Sequence, residues 1–319
     1  MRVLIFGEAN DRTAHEVGLW LHRWGVPFTQ INKEDDVQIV KLSLHNRTAL
    51  IRVNGHLIDL HQFDAIWHRR GYLKAPDMQR TLQTAWERYG LPMDNFLERE
   101  WRMLRDYLMQ VAQPAKQLGN FKTSSVNKLR VLDMASQCGL RTPKTYVSQC
   151  TERLKKIAAQ QSCITKPIGE VFSHSTGDAL YQSYTTSCNE GDIAHTLQFP
   201  VLLQESIEKW VELRIFILLG KCYSMAVFSQ AITQTAADYR NHSQNNKPRM
   251  VPFTLPIEIS QKLIMLNNML ELNTSSVDMI ITPNLQYVFL EVNPVGNIEM
   301  LSKPCNCHIE REIAKYMTQ

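Results

Sequence analysis

Val277-Asp278-Met279-Ile280-Ile281 and Tyr287-Val288-Phe289-Leu290-Glu291-Val292-Asn293 decide the reading of this chain. Both runs are rich in β-branched and aromatic residues, and Thr282-Pro283-Asn284-Leu285 between them carries turn formers. A hairpin turning at Asn284-Leu285 sets Asp278 directly across from Glu291. Side chains alternate along a strand, and opposed residues point the same way. Asp278, Glu291 and Asn293 therefore converge in an otherwise apolar hairpin. Two carboxylates and an amide oxygen so placed suit a hard divalent cation such as Mg²⁺, which carries phosphates with it.

The bulk numbers narrow the class. With 319 residues the chain can bury a large core and form two or three lobes. Hydrophobic content of 44% and charged content of 21% are those of an ordinary globular protein. A net charge of +4 is mild, and no dense Lys/Arg stripe appears, which argues against a nucleic-acid partner. The apolar run Val3-Leu4-Ile5-Phe6 is too short for a signal peptide, and Ile215 to Leu219 is far short of a membrane span. Seven scattered cysteines, an odd number, suit reduced thiols in a cytoplasm. Cys305-Asn306-Cys307-His308 lacks the second Cys/His pair that a zinc site needs.

Alternating strand and helix signals predict a small open α/β sheet at the N-terminus. Val3 to Phe6 and Pro27 to Ile31 read as strands flanking a helix from Ala14 to Trp24. Thr48 to Leu60 reads as a hairpin turning at Asn54-Gly55, and Phe63 to Trp67 as a strand. Phe96 to Ala112 is a long helical stretch. A serine-capped helix follows Ser124-Ser125 and ends at Gly139. Ser162 to Pro167 is a strand carrying Lys166 at its end, and Gly169 to Gly191 a Ser/Thr/Tyr-rich flap with hairpins. Val201 to Ser206, Leu213 to Leu219 and Cys222 to Phe228 read as strands. Thr233 to Arg249 is a polar loop, and helices run over Pro256 to Leu270 and Ile309 to Met317. The expected division is 1–118, 119–198 and 199–319.

Chemistry-bearing segments follow in order. They are Asn127-Lys128-Leu129, Gly139-Leu140-Arg141-Thr142-Pro143-Lys144-Thr145 and Ile164-Thr165-Lys166-Pro167. Next come Leu203-Gln204-Glu205-Ser206-Ile207 and Val211-Glu212-Leu213-Arg214-Ile215, then Asp278 and Glu291-Val292-Asn293-Pro294. This succession resembles the ATP-grasp ligase superfamily over about residues 120 to 300. The flanks are similar to ATP-grasp enzymes that modify ribosomal peptides: Ala65-Ile66-Trp67-His68-Arg69-Arg70 resembles their Trp-Tyr-Arg-Arg stretch, and Asp238-Tyr239-Arg240 their Asp-Trp-Arg motif. The tail from Met300 to Glu310 resembles that of the grasp-with-spasm maturases, relatives of the microviridin (graspetide) ligases.

The resemblance implies an α/β ATP-grasp fold: a small pre-ATP-grasp domain, then a lid lobe and a large lobe sandwiching the nucleotide. It implies that Lys128 and Lys166 reach the phosphates of ATP, that Gln204, Glu205, Ser206 and Ile207 hold the adenine, and that Glu212 accepts the ribose hydroxyls. Asp278, Glu291 and Asn293 would hold Mg²⁺, as two ions, while Arg240, supported by Arg214, stabilises oxygen charge. The implied reaction phosphorylates Glu/Asp carboxylates of a precursor peptide, bound through a leader segment. It then joins them to Ser/Thr hydroxyls as ω-esters or to Lys amines as ω-amides. A homodimer with no membrane partner is implied as well. Two departures stand out: the loop after Lys166 has only Gly169 and Gly177, and His68 replaces the tyrosine. The rival readings are a ligase adding free amino acids such as glutamate, a catalytically silent nucleotide-binding scaffold, and an unrelated α/β binding protein.

Overall fold

The computed structural model describes residues 1–319 apart from 113, 115, 124–125, 170–172, 177–179, 183–184, 197–198 and 229–247. Its contacts define two compact units. One comprises residues 1–124, 272–274 and 297–319; the other comprises 125–271 and 275–296.

The first unit is built on Val3–Gly7, every residue of which is buried. A continuous apolar run marks a strand covered on both faces, which is the situation of a parallel sheet. The sheet is indeed parallel, in the order Phe28–Asn32, Val3–Gly7, Ala65–His68, Lys116–Leu118. Helix Arg12–Arg23 follows the first strand, capped by Asp11, whose Oδ1 accepts from the Ala14 N–H at 3.1 Å. It packs against Ile309–Thr318, and each helix buries a face at three- and four-residue spacing.

The Asn54-Gly55 turn forms as expected, with φ of 47° and 86°, and Val53 pairs with His56. The strand Val37–Ser43 adds to that hairpin, giving a three-stranded antiparallel sheet. Helix Asp94–Val111 lies close to the expected stretch, whereas helix Gln79–Tyr89 was not expected; Asp77 just before it accepts from the Gln79 N–H through Oδ1 at 2.9 Å.

In the second unit the helix Lys128–Gln137 is capped by Asn127, not by serine. The Asn127 Oδ1 accepts from the N–H groups of Leu129 and Arg130 at 3.0 and 3.1 Å, so Lys128 opens the helix. Two larger sheets follow, the first antiparallel throughout. One runs Thr186–Cys188, Cys163–Thr165, Val201–Glu205, Thr145–Ser148; within the flap, Ser173–Ser175 pairs with Leu180–Gln182. The other has five strands in the order Arg249–Pro252, Lys221–Phe228, Val211–Leu218, Thr274–Ile281, Tyr287–Asn293. Among the described residues no helix is long and apolar enough to cross a membrane. All seven cysteines are free thiols.

Candidate functional site

The C-terminal hairpin positions the acidic residues, and it does so through two offsets that cancel. The turn is centred on Asn284, one half-step before the expected point: Thr282 and Gln286 face each other, and Leu285 takes a φ of 57°. Ile281 pairs with Tyr287, Ile280 with Val288 and Met279 with Phe289. Leu290 is then an extra residue, a β-bulge, after which Glu291 falls opposite Asp278 and Asn293 opposite Ser276. The bulge leaves consecutive residues Leu290 and Glu291 on the wall of one cavity, beside Asp278 and Ile280.

That cavity, about 250 Å³, lies within the second unit and gathers most of the residues singled out from sequence. Lys166 enters from the end of the strand Cys163–Thr165, and Gln204, Glu205, Ser206 and Ile207 from the end of Val201–Glu205. Glu212 and Arg214 come from the strand Val211–Leu218, where alternation puts both on one face. Lys128 sits beside this cavity, lining a small void with Lys166, Leu290 and Glu291, and its Nζ donates to the Pro167 carbonyl at 3.3 Å. Asn293 is exposed, and its Oδ1 accepts from the Val295 N–H at 2.9 Å. Arg240 lies outside the described residues.

Strand pairing already uses part of the backbone expected to face a base. The Glu205 N–H donates to the Lys144 carbonyl and the Ser206 N–H to the Ser162 carbonyl, each at 2.9 Å. The Gln204 side chain, almost fully buried, donates to Thr145 Oγ1 at 2.7 Å. Ile207 is the first residue past these bonds on the cavity wall.

The charged groups form a connected row. Lys209 Nζ lies 2.5 Å from Glu212 Oε1, and Arg214 donates to Glu212 Oε2 at 3.4 Å while also pairing with Asp278. Burial lifts the Asp278 carboxyl above its ordinary range; Arg214 pulls it down, and Glu291 across the hairpin pushes it up. Burial likewise lowers the Lys166 ammonium, with Glu291 and Asp278 opposing and Lys128 adding to the effect. Both shifts describe charges short of water. The carboxylates would gain from a divalent cation, and the lysines from an anion.

The donor set therefore fits Mg²⁺ with a phosphate ligand. Mg²⁺ keeps several waters and is usually held by one or two carboxylates plus substrate phosphates, not by an all-protein cage. Asp278 and Glu291 supply that pair, and among the described residues no cluster of three or more His, Cys, Asp or Glu has metal-holding geometry. Sequence reasoning passed over Lys209 and the hydroxyl trio Thr185, Thr186 and Ser187, all of which line the cavity. Thr186 and Ser187 lie on the strand paired with Cys163–Thr165, with Thr185 just before it, and all three bring hydroxyl donors to the cavity wall.

No protein-family model and no curated protein matches the chain. Solved structures do. The macrocyclase MdnC from Microcystis aeruginosa MRC, bound with precursor peptide MdnA, superposes with a TM-score of 0.80 at 25% identity, over 100% of this chain and 99% of that one. A RiPP-associated ATP-grasp ligase from Chryseobacterium gregarium, in complex with ADP and a leader and core peptide, gives 0.79 at 21%, over 99% and 95%. D-alanyl-alanine synthetase A from Vibrio cholerae gives 0.62 at 12%, over 100% and 97%. The chain has the ATP-grasp fold.

Proposed function

From the ATP-grasp fold as premise, we propose that the chain is an ATP- and Mg²⁺-dependent ligase that closes rings in a ribosomally made peptide. The observation that carries the reading is the Asp278–Glu291 pair facing one cavity with Lys166. The full-length likeness to MdnC, which is bound with a precursor peptide, supports a peptide as substrate. The likeness to the synthetase from Vibrio cholerae is weaker, which disfavours the reading as a ligase of free amino acids.

Asp278 and Glu291 would hold Mg²⁺, which supplies charge neutralisation at the phosphates; the Asn293 Oδ1, which accepts from the Val295 N–H, keeps a second lone pair with which to join them. Lys166 and Lys128 draw in the phosphates, and Glu212 receives the sugar. With the triphosphate charge neutralised, an anionic Glu or Asp carboxylate of the peptide can approach the γ-phosphorus. Transfer makes an acylphosphate and ADP. A Ser or Thr hydroxyl attacks the acyl carbon, the acyl C–O bond breaks and its electron pair leaves with phosphate, the hydroxyl proton passes to the departing phosphate or solvent, and an ω-ester remains. A Lys amine gives an ω-amide by the same path. Arg214 stabilises the oxygen charge that develops, with Arg240 assigned the larger share; Arg240→Ala should stop ring closure while leaving ATP binding intact.

The peptide is recognised through a leader segment, the enzyme works as a homodimer in the cytoplasm, and the working division into domains is 1–118, 119–198 and 199–319. The test is incubation with ATP, Mg²⁺ and a candidate precursor encoded beside this gene, rich in repeated Thr/Ser and Glu/Asp. Mass spectrometry should show one water lost per bond formed, with ADP released in equal number. ADP release without water loss, or glutamate added to the peptide, would overturn the reading.

A further inference from the structure

Lys209 is the ionised group at this cavity that the proposed chemistry leaves without a task. Its side chain is 12% exposed and that of Glu212 is 9% exposed, so the pair is withdrawn from water. A lysine is seldom buried unless paired, because its ammonium loses hydration. Here the partner is Glu212, at 2.5 Å. The backbone holds the lysine in place: Lys209 lies between the strands Val201–Glu205 and Val211–Leu218, and the next residue, Trp210, donates its N–H to the Ile281 carbonyl at 2.9 Å. The segment is thereby tied to the strand that carries Asp278.

The two carboxylate oxygens of Glu212 have different partners. Oε1 faces Lys209 and Oε2 faces Arg214, whose guanidinium also pairs with Asp278. An arginine fork favours taking both oxygens of one carboxylate. Lys209 opposes that by holding Oε1 on its own side. Glu212 thus meets Arg214 through Oε2, and Arg214 also pairs with Asp278. A carboxylate offers about four acceptor positions, so Glu212 can keep both cations and still accept from a sugar.

We infer that Lys209 is a positioning residue that fixes Glu212 for the vicinal hydroxyls of a nucleotide ribose, and so sets the preference for ribose over deoxyribose. The inference rests on the ligase reading, since it takes the ligand to be a nucleotide. The ammonium acts on the sugar through Glu212 and touches neither phosphate nor base.

Calorimetry with Mg²⁺ and either ADP, 2′-deoxy-ADP or 3′-deoxy-ADP tests this without turnover. The wild-type chain should prefer ADP over the deoxy forms by roughly tenfold, the usual worth of a hydrogen bond to a charged acceptor. Lys209→Met, close to lysine in length but uncharged, should compress that preference to about threefold or less, and Lys209→Arg should retain it. If the Met variant does not fold, Lys209→Gln repeats the test with a polar end that is one atom shorter and uncharged, with the same compression expected. An unchanged preference overturns the inference. An equal loss for ADP and both deoxy forms overturns it too, since that would mark a direct contact with the shared phosphates or base. A wild-type protein that binds none of the three overturns the ligase reading instead.

Discussion

Both units place charged side chains at the ends of strands, and they treat them differently. In the first, Arg69 and Asp11 are each 4% exposed and lie 3.0 Å apart just past the strands Ala65–His68 and Val3–Gly7. Asp11 also caps the helix Arg12–Arg23, so its oxygens serve a cap and an ion pair. In the second unit the row Lys209, Glu212, Arg214 and Asp278 lines a cavity, with Arg214 and Asp278 about one-fifth exposed. A pair sealed by its own fold holds structure together. A row open to a cavity can exchange partners when a ligand arrives, and only the second arrangement suits catalysis.

That contrast breaks most readily at Glu291. Glu291→Gln keeps the shape but removes one of two facing carboxylates, and ring closure should fall by roughly 10² to 10³, as for loss of a preorganised charged group. The melting temperature should move little, because burial already disfavours ionisation of the facing Asp278 and the Glu291 charge adds to that. A large loss of stability with activity intact would reverse the assignment of roles.

In the first unit the same test should strike the fold. Gly71 follows Arg70 with a φ of 116°, and a Cβ there would run into the Gly7 carbonyl oxygen. Gly71→Ala should cost about 3 kcal/mol by chemical denaturation, from backbone strain and displacement of the first strand.

The sequence carried the acidic hairpin because turn residues and strand formers bracket it, and opposition of Asp278 and Glu291 follows from counting residues. It did not carry the bulge. Leu290 resembles its neighbours, and the shift of the turn toward Asn284 hid the extra residue. Had only one of those offsets occurred, Asp278 would face a different residue. Helix Gln79–Tyr89 was missed because its start-forming side chain is displaced: Met78 stands at the N-cap with no side-chain bond, and Asp77, one residue earlier, accepts from the Gln79 N–H. The helix begins later than the serines suggested, because the Asn127 Oδ1 takes the N–H groups of Leu129 and Arg130. Lys209 gave no signal at all, since its burial comes from the strand on which Trp210 docks and not from any periodic pattern.

Within the row, Arg214→Met should cost about 2 kcal/mol, less than for a fully buried pair because both partners keep some water. The pH dependence has a definite sign. The folded Asp278 carboxyl already titrates above the unfolded value of 3.8, so its contribution to stability falls as pH rises through that window. Without the guanidinium the carboxyl should rise further. The deficit of the variant should therefore be larger near about pH 7 than near about pH 5. Denaturation at both values, alongside the variant Arg214→Met with Asp278→Asn, would show whether the deficit belongs to Asp278.

The smallest effect concerns His68, buried at the end of the strand Ala65–His68. Its ring stacks on Phe6 at 5.5 Å, and neither ring nitrogen has a hydrogen-bond partner among the described residues. Burial pulls its pKa from 6.5 down to about 4. The unfolded chain then binds a proton between those values that the folded chain refuses, so stability falls as pH drops through 6.5 toward 4. Between about pH 7 and pH 5 the loss from this group is on the order of 1 to 2 kcal/mol. His68→Phe keeps the stacking and removes the proton site, so it should flatten that acid limb. Ring closure should be unchanged, because nothing in the first unit's sealed pairs is asked to meet the nucleotide. If the variant loses activity while the acid limb persists, His68 belongs with the working groups, and the line drawn between sealed and open charges is in the wrong place.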